Sequence, residues 1–199
     1  MKRIFDTAFV IIFLPLWLPV LLLAAMVVLV FDGRPVFFRQ TRAGRGGTPF
    51  DLIKLRTMRL GEGTDAERMT SLGRFLRASS LDELPELLHV LSGKMSLVGP
   101  RPLPVRYLPR YSPRQARRHE VLPGITGWAQ VNGRNLLSWD EKFEHDVWYV
   151  DHQSLALDVL ILIRTFAQIL LPRGIHAKGE ATMGEFKPEG DGPGGSASI

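Results

Sequence analysis

The sequence predicts an α+β protein, mainly helical, in which a re-entrant N-terminal membrane helix and interfacial amphipathic helices accompany one small β-hairpin. Three observations lead there. Residues 7–31 carry no charged side chain. Segments 36–40 and 50–56 are rich in β-formers and flank a glycine-rich turn at 44–47. Leu84, Leu87, Leu88 and Leu91 recur at the i, i+3, i+4, i+7 spacing of one helix face.

The uncharged run is long enough, at roughly 1.5 Å per residue, to reach across a hydrocarbon core of about 30 Å. Cations stand at both ends, however: Lys2 and Arg3 before it, and Arg34, Arg39, Arg42 and Arg45 after it. The positive-inside tendency then asks for the cytoplasm on both sides, which one straight span does not provide. Pro15 and Pro19 lie one helical turn apart near the middle, and proline inside a helix removes a hydrogen bond and bends the axis. A break near Pro19 leaves arms of about twelve residues, each roughly 18 Å long and too short to span. The expectation is a helix-break-helix over 1–31 that dips into one leaflet and returns. A straight span and a cleavable signal peptide are the competing readings, although Leu23-Ala24-Ala25-Met26 is a poor cleavage site. The remainder divides into a catalytic-size domain over 32–186 and a flexible Gly/Pro/Ser-rich tail over 187–199.

A formal charge of +5 favours anionic partners. Nucleic acid is the weakest of these, because the basic residues are scattered and no helix-turn-helix, zinc-knuckle or RNA-binding signature accompanies them. The absence of cysteine excludes a disulfide framework and thiolate metal sites.

The chemistry is placed at Asp82 and Glu83, adjacent acids in the first turn of the helix that the leucine spacing marks. On spacing alone Ser80-x-x-Glu83 is equally a capping box, and first-turn acids complement a helix dipole. Eleven residues on from Leu88, Gly99-Pro100-Arg101-Pro102 sets a guanidinium on a stiff backbone suited to bidentate phosphate contact. In the second strand Lys54 and Arg56 fall on one face by period-2 alternation, where they can meet one phosphate group or simply face solvent.

Asp82-Glu83-Leu84-Pro85, Met95-Ser96-Leu97-Val98-Gly99-Pro100-Arg101-Pro102, Pro123-Gly124-Ile125-Thr126-Gly127-Trp128 and Gln130-Val131-Asn132-Gly133-Arg134 together resemble the monotopic phosphoglycosyl transferases, a bacterial sugar transferase family. The resemblance runs from Lys2-Arg3-Ile4-Phe5-Asp6 to about residue 186, a length similar to that of the small PglC-type initiating enzymes. It implies transfer of a phosphosugar from a UDP-sugar to polyprenyl (undecaprenyl) phosphate at the cytoplasmic face of the bacterial cytoplasmic membrane, among inner-leaflet lipids, with release of UMP. It implies Asp82 as nucleophile and Mg2+ ligand, Glu83 as its partner, and Lys54 as a phosphate contact. The sugar stays open among diacetylated bacillosamine, other N-acetylated sugars and plain hexoses, with the small members acting on diacetylated bacillosamine the most similar. In one departure, the family usually places serine before the proline at the break, and here Leu18 precedes Pro19.

The rest of the chain is read around that site. Gln130, Asn132 and Arg134 are candidates for the nucleotide side, where Gly124 and Gly127 let backbone N–H groups approach an anion; 129–131 suggests a brief strand. Segment 60–69 reads as a loop, 71–77 as a short helix with a basic side, and 139–149 as a helix with a lone His145 that lacks metal-ligand spacing. The arginines of 103–120 suit either anionic headgroups or a solvated helix. Segment 155–171 reads as an amphipathic interfacial helix stopped by Pro172 and Gly174; its Asp158 matches a family acid and is grouped with the substrate contacts. A non-covalent ternary-complex transferase and an inactive membrane scaffold are the rival readings.

Overall fold

A computed structural model describes residues 1–133, 136–170 and 186 of the chain. Arg134, the expected helix stop at Pro172 and Gly174, and the tail 187–199 lie outside the described residues.

The N-terminal run forms two helices, α1 (Lys2–Ile12) and α2 (Leu14–Phe31). The break falls at Phe13, not near Pro19, so the arms are 11 and 18 residues long. Pro15 enters the first turn of α2, where a missing N–H costs nothing, whereas Pro19 lies inside the helix. Trp17 Nε1 donates to Val10 O at 2.9 Å and ties the arms together across the break.

Both arms bury one stripe. Trp17, Leu21, Ala24 and Val28 of α2 enter the main core, while Leu22, Leu23, Met26, Val30 and Phe31 stay 60–77% exposed. The polarity of α1 is inverted relative to a soluble helix: Asp6 is buried, and Ile4, Ile11 and Ile12 face outwards. Its polar groups grip the rest of the protein. Lys2 Nζ donates to Asp158 Oδ2 at 2.6 Å, Arg3 donates to the carbonyls of Val90 and Leu91, and Ser96 Oγ donates to Asp6 Oδ2 at 2.7 Å.

The strands β1 (Phe37–Ala43) and β2 (Pro49–Leu55) pair antiparallel with Arg39 opposite Ile53, as alternation and the glycine turn predict. A second pair, β3 (Ser96–Val98) and β4 (Gly124–Thr126), runs parallel. The segment read as a brief strand at 129–131 is instead part of a helix. Gly127 stands here against Gly99, because a Cβ on Gly127 would meet Gly99 O at 2.2 Å and one on Gly124 would meet Gly99 N at 2.1 Å. These glycines serve backbone-to-backbone packing, the structural role that such a turn also allows.

Between the two strand pairs, the expected loop at 60–69 contains α3 (Asp65–Arg68), started by a Thr64–Glu67 capping box, and α4 (Ser71–Ala78) follows. Next come a 3₁₀ turn at Leu81–Glu83 and α5 (Glu86–Leu91). After β3 the chain makes a 3₁₀ segment at Val105–Arg110, α6 (Pro113–Ala116) and a second 3₁₀ turn at Arg117–His119. Beyond β4 lie α7 (Trp128–Val131), α8 (Trp139–His152) and α9 (Leu155–Leu170).

Three of the arginines read as suiting either headgroups or a solvated helix fasten this part to α8: Arg114 pairs with Glu144 at 2.6 Å, Arg117 with Asp151 at 2.5 Å, and buried Arg118 with Asp146 at 2.7 Å. Phe186 completes a smaller aromatic core with Tyr107, Tyr111, Trp139 and Phe143. The last helix repeats the pattern of α1, with Asp158 and Ile161 buried while Leu155, Ile163 and Phe166 are exposed. Such continuous outward apolar faces suit a membrane-associated protein.

Candidate active site

The dyad is held in a tight turn and not in the first turn of a regular helix. Pro85 has no N–H to return to Leu81, so the chain makes one 3₁₀ turn and the helix restarts at Glu86. Ser80 precedes the turn at φ 57°, ψ 18°, in the left-handed region that non-glycine residues seldom occupy. Its side chain makes no cap, so the Ser80–Glu83 capping box does not form. Since this conformation costs a non-glycine residue about 1–2 kcal/mol, Ser80→Gly is expected to keep activity and raise stability by up to about 1 kcal/mol. Ser80→Val is expected to lose both; urea unfolding in detergent, alongside a transferase assay, measures the pair.

Four elements converge on the dyad. Lys54 of β2 donates from Nζ to Glu83 Oε1 at 2.6 Å, and Arg101 donates from Nη2 to the same oxygen at 2.6 Å. Burial works against ionisation of Glu83, but Arg101 and Lys54 outweigh it and hold the carboxyl well below the usual range. Glu83 is therefore a fixed anion that sets the positions of two cations.

Asp82 differs. It is 6% exposed and accepts no side-chain hydrogen bond from any described residue. Burial, followed by repulsion from Glu83, pushes its carboxyl up to about 6 against the pull of Lys54, Arg77 and Arg101. At neutral pH it is still mostly ionised, poorly solvated and unengaged, which are the conditions that favour a carboxylate nucleophile.

Two residues were missed. Arg77 of α4, read only as part of a basic side, lends charge to Asp82 while its Nε donates to Thr57 Oγ1 at 3.0 Å. Glu86 is buried to 2% exposure, with Oε1 lying 3.1 Å from Lys54 Nζ. Desolvation raises its carboxyl, Lys54 opposing and Glu83 adding to the rise. Its signal was the position one turn beyond the dyad, at i+3 and i+4, where side chains share a face. His89 docks this helix on β2, accepting the Ile53 N–H at Nε2 at 3.2 Å.

Behind Arg101 stands a buried brace. Arg118 donates from Nη2 to Arg101 O at 2.7 Å and from Nε and Nη2 to Asp146 Oδ2 at 3.0 and 2.7 Å. Removing one partner of such a buried pair typically costs 3–5 kcal/mol. Asp146→Ala is accordingly expected to lower stability by about that much, a loss readable by thermal unfolding in detergent. It acts on the site by freeing the Arg101 turn.

Other predicted site residues are engaged elsewhere. Arg56 does not share a phosphate with Lys54: it is 6% exposed and donates to the carbonyls of Asp32, Gly33 and Arg34, closing the end of α2. Gln130 Nε2 donates to Ile125 O at 2.9 Å and Asn132 Nδ2 to Trp128 O at 2.8 Å, so both amides serve the local fold. Asp158 is 1% exposed and holds Lys2 together with Tyr149 Oη, each at 2.6 Å, which makes it a joint between α9 and α1. Pro15 and Pro19 are placed in α2 as described above, and Arg134 lies outside the described residues.

The family model for bacterial sugar transferases matches residues 1–172. A Bacillus subtilis protein named as an uncharacterized sugar transferase, EpsL, is 50% identical over 197 residues, covering 96% of this chain and 98% of that protein. A Caulobacter vibrioides UDP-glucose:undecaprenyl-phosphate glucose-1-phosphate transferase is 41% identical over 185 residues, with 85% and 69% covered. An Aeromonas hydrophila UDP-N-acetylgalactosamine-undecaprenyl-phosphate N-acetylgalactosaminephosphotransferase is 37% identical over 183 residues, with 85% and 43% covered. The match spans nearly all the described residues, dyad and cation cluster included, and the chain belongs to the bacterial sugar transferase family and is a transferase.

Proposed function

We propose that the protein moves a phosphosugar from a UDP-sugar to undecaprenyl phosphate, through an intermediate covalently bound to Asp82, at the cytoplasmic face of the cytoplasmic membrane. The observation that carries this reading is the state of Asp82: a buried carboxylate that accepts no side-chain hydrogen bond from any described residue and feels the charge of Lys54, Arg77 and Arg101. An Asp82 oxygen attacks the phosphorus bearing the sugar; the bond to the bridging oxygen breaks and UMP leaves with its electron pair. A phosphate oxygen of undecaprenyl phosphate then attacks the aspartyl phosphate, giving undecaprenyl-diphosphate sugar and freeing the Asp82 carboxylate. Both steps bring anions together, so fixed positive charge is the first need. Lys54 and Arg101 supply it, oriented by their shared bond to Glu83.

The donor set also bears on magnesium. Among the described residues no group of three His, Asp or Glu side chains is placed to cage a metal. Asp82 offers one unengaged carboxylate, while Glu83 is already bridged by two cations. Asp82 is thus the residue that would hold Mg2+ beside the donor's diphosphate. When bound, the ion neutralises phosphoryl oxygens.

The re-entrant placement of α1 and α2 is supported by their ends. Lys2 and Arg3 at the start are bonded to α9 and α5, and the carbonyls of 32–34 at the finish are bonded to Arg56, so one domain holds both ends. A site held at the interface meets a water-soluble donor and a lipid whose phosphate lies at headgroup depth. The donors named for the relatives, UDP-glucose and UDP-N-acetylgalactosamine, make hexose and N-acetylhexosamine donors the first to try. The test is UMP release from a panel of UDP-sugars with undecaprenyl phosphate, followed by trapping of radiolabelled phosphosugar on the protein without the lipid. Label on wild type and none on Asp82→Asn is the expected result; turnover without label would favour a ternary-complex route.

A further inference from the structure

Lys54, Arg77 and Arg101 set their charge against the Asp82 carboxyl, and two of them are already committed. Lys54 and Arg101 meet on one oxygen of Glu83, and Lys54 Nζ also lies 3.1 Å from Glu86 Oε1. Arg77 pairs with no carboxylate among the described residues. Its guanidinium donates once, from Nε to Thr57 Oγ1 at 3.0 Å, which leaves both Nη atoms without an acceptor there. A guanidinium kept for the fold engages those atoms, as Arg56 does on Gly33 O and Asp32 O, and Arg118 on Asp146 and Arg101 O. The backbone carries Arg77 to the dyad: it lies in the last turn of α4, and its carbonyl accepts the Ser80 N–H at 3.2 Å, two residues before Asp82. On the same side, α4 closes on the residue that ends the Lys54 strand segment. A Cβ on Gly73 would meet Thr57 O at 1.9 Å, so no larger residue fits there. Thr57 is 6% exposed, and its carbonyl accepts the Thr70 N–H at 3.3 Å. One buried threonine thus holds the start of α4 with its carbonyl and the arginine at its end with its hydroxyl.

The chemistry at Asp82 supplies the missing acceptor. The phosphorus that Asp82 attacks carries two non-bridging oxygens, a pair that one guanidinium fork matches. Their charge needs a counterion through both steps, and the charges of Lys54 and Arg101 are already shared with Glu83. We infer that Arg77 is a further catalytic residue, which grips the non-bridging oxygens of the transferred phosphoryl group through its Nη atoms, in the donor and again on the aspartyl phosphate, with Thr57 as its positioning residue. Arg77 makes and breaks no covalent bond in either step. The inference rests on the phosphosugar-transfer reading above and adds the residue that holds the group being moved.

Full-length protein in nanodiscs is mixed with radiolabelled UDP-glucose or UDP-N-acetylgalactosamine, whichever wild type uses. Label on the protein and released UMP are followed in time, first without lipid and then after a chase with undecaprenyl phosphate. Arg77→Ala is expected to slow both labelling and discharge by about 10²–10³-fold, with kcat falling as much and KM for the UDP-sugar moving by less than about threefold. Arg77→Lys, a point charge without the fork, is expected to recover about tenfold of that loss. Thr57→Val keeps the shape, removes the acceptor of Nε and is expected to cost about tenfold in the same rates. A merely structural role would lower the amount of protein labelled and the unfolding temperature but leave the rate constant at the wild-type value, and that pattern overturns the inference. Loss confined to discharge, or a raised KM at unchanged kcat, overturns it too, by making Arg77 a contact for the acceptor or the donor alone. Should Arg77→Ala not fold, Thr57→Val reacting at the wild-type rate overturns it. Equal rates in wild type and Arg77→Ala end the inference and keep the reaction; wild type that neither labels nor releases UMP ends the proposed reaction itself.

Discussion

Asp82→Asn is expected to lower UMP release by roughly 10⁴-fold or more, as loss of a nucleophile does, and at the same time to make the protein more stable. The Asp82 carboxyl rises from its ordinary 3.8 to about 6 in the folded protein. A carboxyl raised by folding stabilises the native state below about pH 4 and loses that contribution as pH climbs through 6. At pH 7 the ionised side chain therefore costs up to about 3 kcal/mol, the free-energy equivalent of that rise, and an asparagine of the same shape avoids the cost. Denaturant unfolding in detergent with a chelator, run from pH 4 to pH 8, should show the two proteins converging at the acid end. The variant should lead by about 1–3 kcal/mol above pH 7. Equal stability across the range would mean that Asp82 is better solvated than its surroundings indicate, and would remove the desolvation that makes it reactive.

Asp158→Ala is expected to be damaging without touching the chemistry. Its carboxylate is 1% exposed and receives both Lys2 Nζ and Tyr149 Oη, so the variant strands a cation and a hydroxyl at the seam between α1 and α9. Lys2 is partly exposed and recovers some hydration, which places the loss at about 2–4 kcal/mol, under the full figure for a sealed pair. The loss should appear as a lowered unfolding midpoint, while the folded fraction keeps its KM for the UDP-sugar. Unchanged stability with a raised KM would return Asp158 to the donor site, where the family resemblance had grouped it.

What was legible in the residues was what local patterns control. Alternation around the 44–47 turn gives the β1–β2 hairpin and puts Lys54 towards the dyad, and the two prolines flanking Arg101 give a stiff turn that presents it to Glu83. The leucine spacing finds α5 but misplaces its start, because the pattern continues through Pro85 while the backbone hydrogen bonds do not. Glu86 escaped notice because an acid at the start of an amphipathic helix ordinarily faces water; only the docking of β2 closes over it. Arg118 and Asp146 stand 28 residues apart in sequence, and no periodicity links them. Arg56 was misjudged for a related reason: alternation gives its face, while the open carbonyls at the end of α2 decide its partner.

The bond from Lys2 to Asp158 joins residues 156 positions apart. At a ribosomal rate of about 5–20 residues per second, the first helix waits on the order of 10–30 seconds for the acid that receives its ammonium group. During that interval the hydrophobic arms have emerged and the domain that fastens them has not. Biogenesis of the protein therefore calls for a membrane or a targeting factor to shelter the nascent N-terminus until translation of α9 ends.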